Sequence, residues 1–418
     1  MASFGIHLAE FSIRMSTVAD QRGSGGLGTG PVRRVVGRFI GDPVGPTLIV
    51  VGSIHGNEPS GRLAIEQTAG SIRNRNLPLH GRVFLLTGNL NAAQQRQRYI
   101  DADLNRRWTR ENIVRNTPSP QRPFTISEDR EQHQLLKIFR DILGTAADEV
   151  YVLDLHSTSA DGVPFATVGD TMRNRRFAMM FPINIVLGIE EELEGTMLEF
   201  LNNEGAVTLG FEAGRHDATG SAANHEALIQ AALVNTGIVQ IGDSPRHEEF
   251  LDRLKKVTGV QRIFEVRHRE PIAPTDNFQM YPGFENFDSV RKGQALAANC
   301  RGEIRSSEKG MIMMPLYQKQ GEDGFFIIRE VERFWLRLSA VLRALDLARF
   351  VALLPGVKKH PRRPEQLQVN TRIARLFPLQ IFHLLGFRRL RWMHEFLVVS
   401  RRRFDTQSPF THKEAHHG

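Results

Sequence analysis

The sequence predicts an α/β protein with a mixed, mostly parallel sheet that helices cover on both faces. A small β-rich domain and a basic helical tail are predicted to follow it. Three observations lead to this prediction. Short apolar runs alternate with helical patterns from about residue 31 onward, as is typical of buried parallel sheets. Near residue 250 the chain changes to short strand-like pieces separated by Gly, Pro and Asn, and after residue 330 it becomes rich in Arg.

Three uninterrupted apolar runs predict strands at the centre of the sheet, because each is short and rich in β-branched residues. They lie at 47–56, 82–89 and 149–156. Helices are predicted between and after them, at 60–72 and 127–143. Further strands are predicted near 163–168, 183–189 and 206–212.

These patterns divide the chain into four predicted parts. They are a flexible segment (1–30), a catalytic α/β domain (31–249), a β-rich domain (250–330) and a basic helical extension (331–418). The glycine-rich stretch at 21–30 is interpreted as a linker and not as a phosphate-binding loop, since no strand precedes it and no Lys-Ser/Thr pair follows.

Composition excludes several classes of protein. The chain has 418 residues, of which 41% are hydrophobic, so a folded core is expected. Cys300 is the single cysteine and cannot form an intrachain disulfide. No signal-peptide pattern and no uncharged apolar stretch of spanning length is visible in the sequence. A cytoplasmic location is therefore expected.

The net charge of +8 is concentrated in one part of the chain. Residues 331–418 hold 17 Lys and Arg against 6 Asp and Glu, whereas the preceding residues carry 37 positive and 40 negative groups. Any partner that the basicity attracts is therefore expected at the tail.

Candidate metal ligands stand where two predicted strands end. The first run leads into His55-Gly56-Asn57-Glu58, and the third ends in Asp154-Leu155-His156. Two His and one Glu leave a fourth position open, which is typical of a catalytic zinc site. Asp154 could orient one imidazole through a hydrogen bond. A bare His-x-x-Glu also occurs by chance, and the shared position at strand ends is what favours the metal interpretation.

Glu212 is the candidate general base. It is one carboxylate within the apolar run 207–214. A carboxylate in such a position is either paired or functional. A structural pair with Arg215 is the alternative to a role in proton transfer.

Taken together, these motifs resemble the succinylglutamate desuccinylase/aspartoacylase family, which is related in fold to the zinc carboxypeptidases. The resemblance rests on HGNE, GNLNAAQQRQRYIDADLNRRW (88–108), DLHSTS (154–159), LGFEAG (209–214) and GMIMMPLYQKQGEDGFF (310–326), in the family's order. It covers about residues 45–330 and implies a carboxypeptidase-like fold.

The resemblance also implies roles for single residues. His55, Glu58 and His156 match the ligands of one Zn²⁺, and Glu212 matches the general base. Arg98 matches an arginine that polarises the scissile carbonyl, which suits a permanently charged guanidinium. Asn105 and Arg106 match residues that bind the substrate carboxylate. From composition alone, Arg106 would be one of several arginines on a solvated face.

The resemblance predicts a hydrolase that cleaves the amide bond of an N-acyl amino acid or a similar small carboxylate. A peptidase or esterase that uses the same site is the first alternative. A membrane-associated binding protein with a vestigial catalytic domain is the second. One departure concerns the substrate: aspartoacylase has an arginine ten residues before its base, where this chain has Asn202. Specificity for an acidic amino acid is therefore in doubt.

The tail lies outside the resemblance. Its apolar residues are interleaved with Arg337, Arg343 and Arg349 at 334–354, and the same alternation of apolar residues and arginines continues at 376–404. This predicts amphipathic helices. Such helices dock on the protein's own body or on a second copy, lie on an anionic membrane surface, or, least expected here, bind nucleic acid.

Overall fold

The computed structural model describes residues 32–116, 123–360, 363–370, 379–393 and 396–410. The chain divides into the units Met1–Pro31 and Val32–Gly418. The predicted flexible segment 1–30 lies outside the described residues, so the second unit is the one described below. Among the described residues, no helix is both long and apolar enough to span a bilayer.

The strands are numbered in chain order. They are β1 Val35–Ile40, β2 Thr47–Gly52, β3 Arg82–Thr87, β4 Val150–Thr158, β5 Phe165–Val168, β6 Asn184–Leu187, β7 Val207–Arg215, β8 Ile263–Pro271, β9 Gln279–Met280, β10 Ser289–Val290, β11 Ala295–Asn299, β12 Gly302–Arg305, β13 Gly310–Met313, β14 Asp323–Glu330, β15 Val357–His360, β16 Arg363–Asn370, β17 Phe387–Met393 and β18 Phe396–Arg401.

The α-helices are numbered in the same way. They are α1 Pro59–Arg75, α2 Leu90–Gln95, α3 Arg110–Arg115, α4 Ser127–Gly144, α5 Met172–Ala178, α6 Ile189–Glu192, α7 Met197–Asn203, α8 Thr219–Asn235, α9 His247–Thr258, α10 Arg333–Ala344 and α11 Leu379–Leu384. Short 3-10 helices lie at Leu104–Arg106, Ile241–Asp243, Pro274–Asp276 and Leu347–Leu353.

An eleven-stranded mixed sheet organises the molecule, in the order β1-β3-β2-β4-β7-β5-β6-β8-β14-β13-β10. Strands β3, β2, β4 and β7 are parallel neighbours, and β2 and β3 are buried along their whole length. The strands predicted from apolar runs and the two predicted long helices are all present. The predicted fold class is confirmed.

Helices cover both faces of the sheet. On one face α1, α8 and α9 pack against alternate residues such as Leu48 and Val50. On the other face α4 and α7 pack against the intervening residues Ile49 and Val51. Because strand side chains alternate between faces, one apolar run supplies both layers of the core.

The segment 250–330 is rich in strands, as predicted, but most of them continue the main sheet. Strands β8, β14, β13 and β10 form its antiparallel end, whereas β9, β11 and β12 form a separate three-stranded sheet. The division into four parts proposed from the sequence stays a prediction.

The helical prediction for the tail is only partly right. Helix α10 and the 3-10 turn after it follow the amphipathic pattern, but β15 to β18 form a four-stranded antiparallel sheet. Leu397 and Val399 lie opposite Val369 and Leu367 in its buried core. Leu397 and Val399 are two residues apart, so their side chains lie on the same face of the strand. Their two-residue period is that of a strand, and the helical prediction is wrong for this segment. Gly386, at φ 85°, ends the turn between α11 and β17.

The tail docks on the body of its own chain. The buried Arg343 of α10 lies 3.1 Å from Asp170 Oδ2 and 3.2 Å from Asp405 Oδ1. Asp405 accepts a hydrogen bond from the main-chain N–H of Met172 at 2.9 Å. Phe410 packs into the core cluster beneath the main sheet. Of the predicted alternatives for the tail, docking within the chain is the one that the described residues form.

Candidate metal centre and active site

His55 and Glu58 stand in the tight turn between β2 and α1. Ser53 has the left-handed φ of 56°, and Gly56 lies so close to α2 that a Cβ would stand 2.0 Å from the main-chain carbon of Ala92. Glycine is therefore required there, and the turn brings both side chains to one side. His55 Nδ1 lies 2.8 Å from Glu58 Oε1.

Strand β4 brings His156 to the same point. Its Nδ1 lies 3.2 Å from Glu58 Oε2, which also accepts a hydrogen bond from the N–H of Ser157 at 3.1 Å. One ligand atom from each of His55, Glu58 and His156 falls within 4.8 Å of the others. The predicted triad is therefore assembled, with two imidazole nitrogens and a carboxylate facing one point, a donor set that suits Zn²⁺.

Carboxylates hold the far nitrogen of each imidazole. His55 Nε2 lies 3.2 Å from Asp103 Oδ1, and His156 Nε2 lies 2.9 Å from Asp154 Oδ2. Such partners fix the ring so that Nδ1 faces the metal position. The role predicted for Asp154 fits this placement. Asp103 was not singled out from the sequence, although it stands in the same DLNR motif as Asn105.

The electrostatics of the triad suit a bound cation. Burial would raise the pKa of Glu58, but His55 and His156 outweigh it and hold that pKa well below its usual range. The pKa of Asp103 is likewise held low against burial by His55 and Arg98. Both carboxylates are therefore negative at neutral pH, as metal binding requires.

Glu212 stands beside the triad on β7, where it is the register partner of His156 on β4. It is 6% exposed, and its Oε2 has no hydrogen-bond partner among the described residues. Burial, joined by repulsion from Glu58, raises its pKa to about 7. Arg215, the alternative partner considered from the sequence, instead pairs with Asp161 and Asp217.

Arg98 is anchored beside the triad. Its Nη2 donates to Asp103 Oδ2 at 3.1 Å, and its Nη1 lies 3.5 Å from Glu58 Oε1. The guanidinium is 14% exposed and lines the cavity above the triad. The structure therefore brings Arg98 next to the three candidate ligands.

Asn105 and Arg106 line the same cavity, but each has a partner within the protein. Asn105 Oδ1 accepts from the N–H of Met197 at 2.8 Å, so its NH2 end is the one suited to contact a ligand. Arg106 Nη2 donates to Asp323 Oδ2 at 2.7 Å, and its Nε lies 3.6 Å from Glu322 Oε2. The sequence did not predict this acidic pair.

Asn202, at the position of the departure from aspartoacylase, does not line the cavity. It is buried, and its NH2 donates to Asn174 Oδ1 at 3.2 Å and to the carbonyl of Ala206 at 2.9 Å. Its Oδ1 accepts from Arg402 Nη1 of the tail at 3.1 Å.

The cavity holds about 100 Å³, and its lining includes the triad, Glu212 and Glu190. Its walls come from the carboxyl ends of β4 and β7, from α6 and α7, and from the segment that leads into β14. The space suits a small molecule next to the triad.

Comparison with known proteins agrees with this geometry. Residues 44–236 match the model of the succinylglutamate desuccinylase/aspartoacylase catalytic domain. A probable aspartoacylase from Acaryochloris marina is 29% identical over 136 residues, which are 31% of this chain. The matched segment spans 41% of that relative's length.

Solved structures share the fold. A succinylglutamate desuccinylase/aspartoacylase from Rhodobacter sphaeroides has a TM-score of 0.51 at 20% identity, over 69% of this chain and 87% of that one. The ectoine utilization protein EutE (DoeB) of Ruegeria pomeroyi, solved with bound product, has a TM-score of 0.50 at 18% identity, over 69% and 86% of the two chains. The segment 44–236, which the family model matches, contains the candidate ligands His55, Glu58 and His156 and the candidate base Glu212.

Proposed function

We propose that the protein is a zinc-dependent hydrolase that cleaves the amide bond of an N-acyl amino acid. One observation carries the proposal: three metal-ligand side chains converge next to a buried glutamate whose Oε2 has no hydrogen-bond partner among the described residues. His55, Glu58 and His156 would hold Zn²⁺. When bound, Zn²⁺ supplies Lewis-acid chemistry and acidifies water.

Glu212 moves the proton in this proposal. A carboxylate with a pKa of about 7 is partly ionised at neutral pH, so it can take a proton and give it back. Its Oε2 would accept the proton of the attacking water and deliver it to the leaving nitrogen. Burial keeps bulk water away from that oxygen.

Arg98 stabilises the negative charge that develops on the carbonyl oxygen. Its position is fixed by Asp103 and Glu58, so little reorganisation is needed as the charge forms. Asn105 and Arg106 would hold the carboxylate of the substrate. Because Arg106 already pairs with Asp323, a substrate carboxylate must share or displace that contact.

Metal analysis with activity assays tests the proposal. Purified protein should contain about one zinc per chain and hydrolyse members of a panel of N-acyl amino acids. His55→Ala should lose most of the metal, because it removes one of three donors. Unchanged zinc content in this variant would exclude the assigned ligands.

Glu212→Gln separates metal binding from proton transfer. It keeps the shape of the side chain but removes the base, so we expect full zinc content with turnover reduced at least a hundredfold. Undiminished turnover would remove Glu212 as the base. Ester and peptide analogues in the same panel decide between a deacylase and the peptidase or esterase alternative.

Location and assembly belong to the proposal as well. A cytoplasmic location, a homo-oligomer and contact of the basic tail with an anionic membrane stay predictions. The observation that bears on the tail is its docking through Arg343, which engages part of its positive charge within the chain.

A further inference from the structure

We call the part of the cavity around Gly210, Leu198 and Glu190 its closed end, because these three lining residues are buried. Gly210, two residues before Glu212 on β7, lines it together with Thr167 and Leu198. A Cβ at Gly210 would stand 2.5 Å from Thr167 Oγ1 and 3.2 Å from Leu198 Cδ1. A side chain at Gly210 would therefore collide with Thr167, so Thr167 and Leu198 pack directly against β7 at this point.

Glu190 of α6 lines this cavity. It is 4% exposed, and its Oε1 has no hydrogen-bond partner among the described residues, whereas the main chain of Gly169 lies close to Oε2. Its one ion pair there joins Oε2 to Arg402 Nη2 of the tail, at 3.2 Å. A buried carboxylate oxygen without a donor is costly, so Oε1 is suited to accept a hydrogen bond from a bound molecule.

The charge around Glu190 is unbalanced. Arg402 is surrounded by Glu190, Glu191 and Glu199, of which Glu191 also lies near Arg343, so Glu190 shares the guanidinium of Arg402 with other carboxylates. At the other end of the cavity, Arg106 is paired with Asp323. A negatively charged side chain would therefore meet like charge in this cavity, whereas a positively charged one would be attracted.

The closed end lies on the side where the leaving amino acid is expected. Asn105, which is expected to contact the substrate carboxylate, accepts a hydrogen bond from the N–H of Met197. The residues on either side of Met197, Thr196 and Leu198, line the cavity. The side chain of an amino acid held at Asn105 would thus extend along α7 toward Glu190.

We propose that the closed end is a subsite for a positively charged side chain of the leaving amino acid. Glu190 accepts its hydrogen bond, and Arg402 acts as a positioning residue that holds the carboxylate. The inference rests on the proposed function in one respect: that function identifies the bound molecule as the leaving amino acid of a hydrolysis. The preferred substrates are then N-acyl derivatives of basic amino acids such as lysine or arginine, and acidic amino acids are disfavoured.

Calorimetric binding of free amino acids to the zinc-loaded protein tests this subsite without turnover. L-lysine or L-arginine should bind at least tenfold more tightly than norleucine, which has a similar length but no charge, and glutamate should bind most weakly. Glu190→Gln should reduce the preference for lysine over norleucine to about threefold or less. Glu192→Gln, which removes an exposed carboxylate of the same helix that does not line the cavity, is the matched control and should keep the preference.

Kinetics on matched N-acetyl amino acids give the second measurement. The preference for lysine over norleucine should appear in kcat/KM and decrease in Glu190→Gln, while Glu190→Asp should retain part of it. Equal binding of lysine and norleucine, or an unchanged preference in a folded Glu190→Gln protein, would overturn the subsite. Glu190-dependent lysine binding without hydrolysis of any N-acyl amino acid would support the subsite and refute the proposed function. Hydrolysis of N-acyl amino acids without a preference for a cationic side chain would support the proposed function and refute the subsite.

Discussion

At the scale of single residues, Asp103 contacts three parts of the site at once. Its Oδ1 lies 3.2 Å from His55 Nε2 and accepts from the N–H of Asn105 at 2.8 Å, and its Oδ2 accepts from Arg98. Asp103→Asn removes the charge that orients His55. We expect zinc affinity to decrease by about 10- to 100-fold with the fold intact, measured by competition with a chelator.

Asp141→Asn is the matched control, because it makes the same chemical change at an exposed position of α4. It should leave zinc affinity as it is in the wild type. If Asp103→Asn bound zinc as tightly as this control, the contact with His55 would have no part in metal binding.

The candidate triad could be predicted from sequence because its members stand where apolar runs end, and Glu212 because it is the one carboxylate within an apolar run. Asp103 and Glu190 could not, since both stand in turns or short helices whose neighbours are set by tertiary contacts. Glu190 lies in an acidic stretch, 190–192, which on composition alone indicates a solvated surface. Its burial depends on Arg402, which is far away in the sequence.

At the scale of elements, α6 is predicted to make stability depend on pH. Burial raises the pKa of Glu190 from 4.5 to about 7, with Glu191 and Glu199 adding to the rise and Arg402 opposing it. Between pH 4.5 and about pH 7, Glu190 is protonated in the folded protein but ionised in the unfolded chain. The free energy of unfolding should therefore decrease as pH rises through this window, by about 3 kcal/mol in all.

Chemical denaturation at several pH values measures this dependence. Glu190→Gln carries no titrating proton, so its stability should vary less between pH 4.5 and 7 and exceed that of the wild type above pH 7. Glu192→Gln on the exposed side of the same helix should follow the wild type. Parallel curves for wild type and Glu190→Gln would contradict the assignment.

Strand β14 limits access to Arg106. Asp323 at its start binds Arg106 and also lies 2.5 Å from Arg269 Nε. Asp323→Asn leaves the guanidinium more available, so we expect KM for N-acyl amino acids to decrease about three- to tenfold. Glu330→Gln, at the exposed far end of the strand, should leave KM as it is. A rise of KM in Asp323→Asn would instead show that Asp323 orients Arg106 for the substrate.

At the scale of the whole molecule, Arg343 ties the tail to the body. Its side chain has no exposed surface and lies between Asp170 and Asp405. Arg343→Met leaves both carboxylates buried without this partner, which typically costs about 3–5 kcal/mol. Urea unfolding should show that loss. Arg337→Met, an exposed arginine on the same helix, should change stability by less than about 0.5 kcal/mol.

The arrangement of the centre of the sheet could be predicted, and that of its end and of the tail could not. Parallel strands carry a continuous apolar signal, but the antiparallel β8 and β14 are polar along part of their length. In the tail, the arginines between apolar residues predicted amphipathic helices, with the arginines on the polar face. Arg343 is instead among the largest fully buried side chains, because two carboxylates compensate its charge.

The docking of Arg402 beside Glu190 sets an order of events during synthesis. The ribosome makes the chain from its amino end, so His55, Glu58, His156 and Glu212 all emerge well before Arg402. The candidate ligands and base are therefore synthesised before the guanidinium that pairs with Glu190. Under the proposed function, a growing chain would carry every residue of the chemistry before it carries the arginine that positions Glu190 in the proposed subsite.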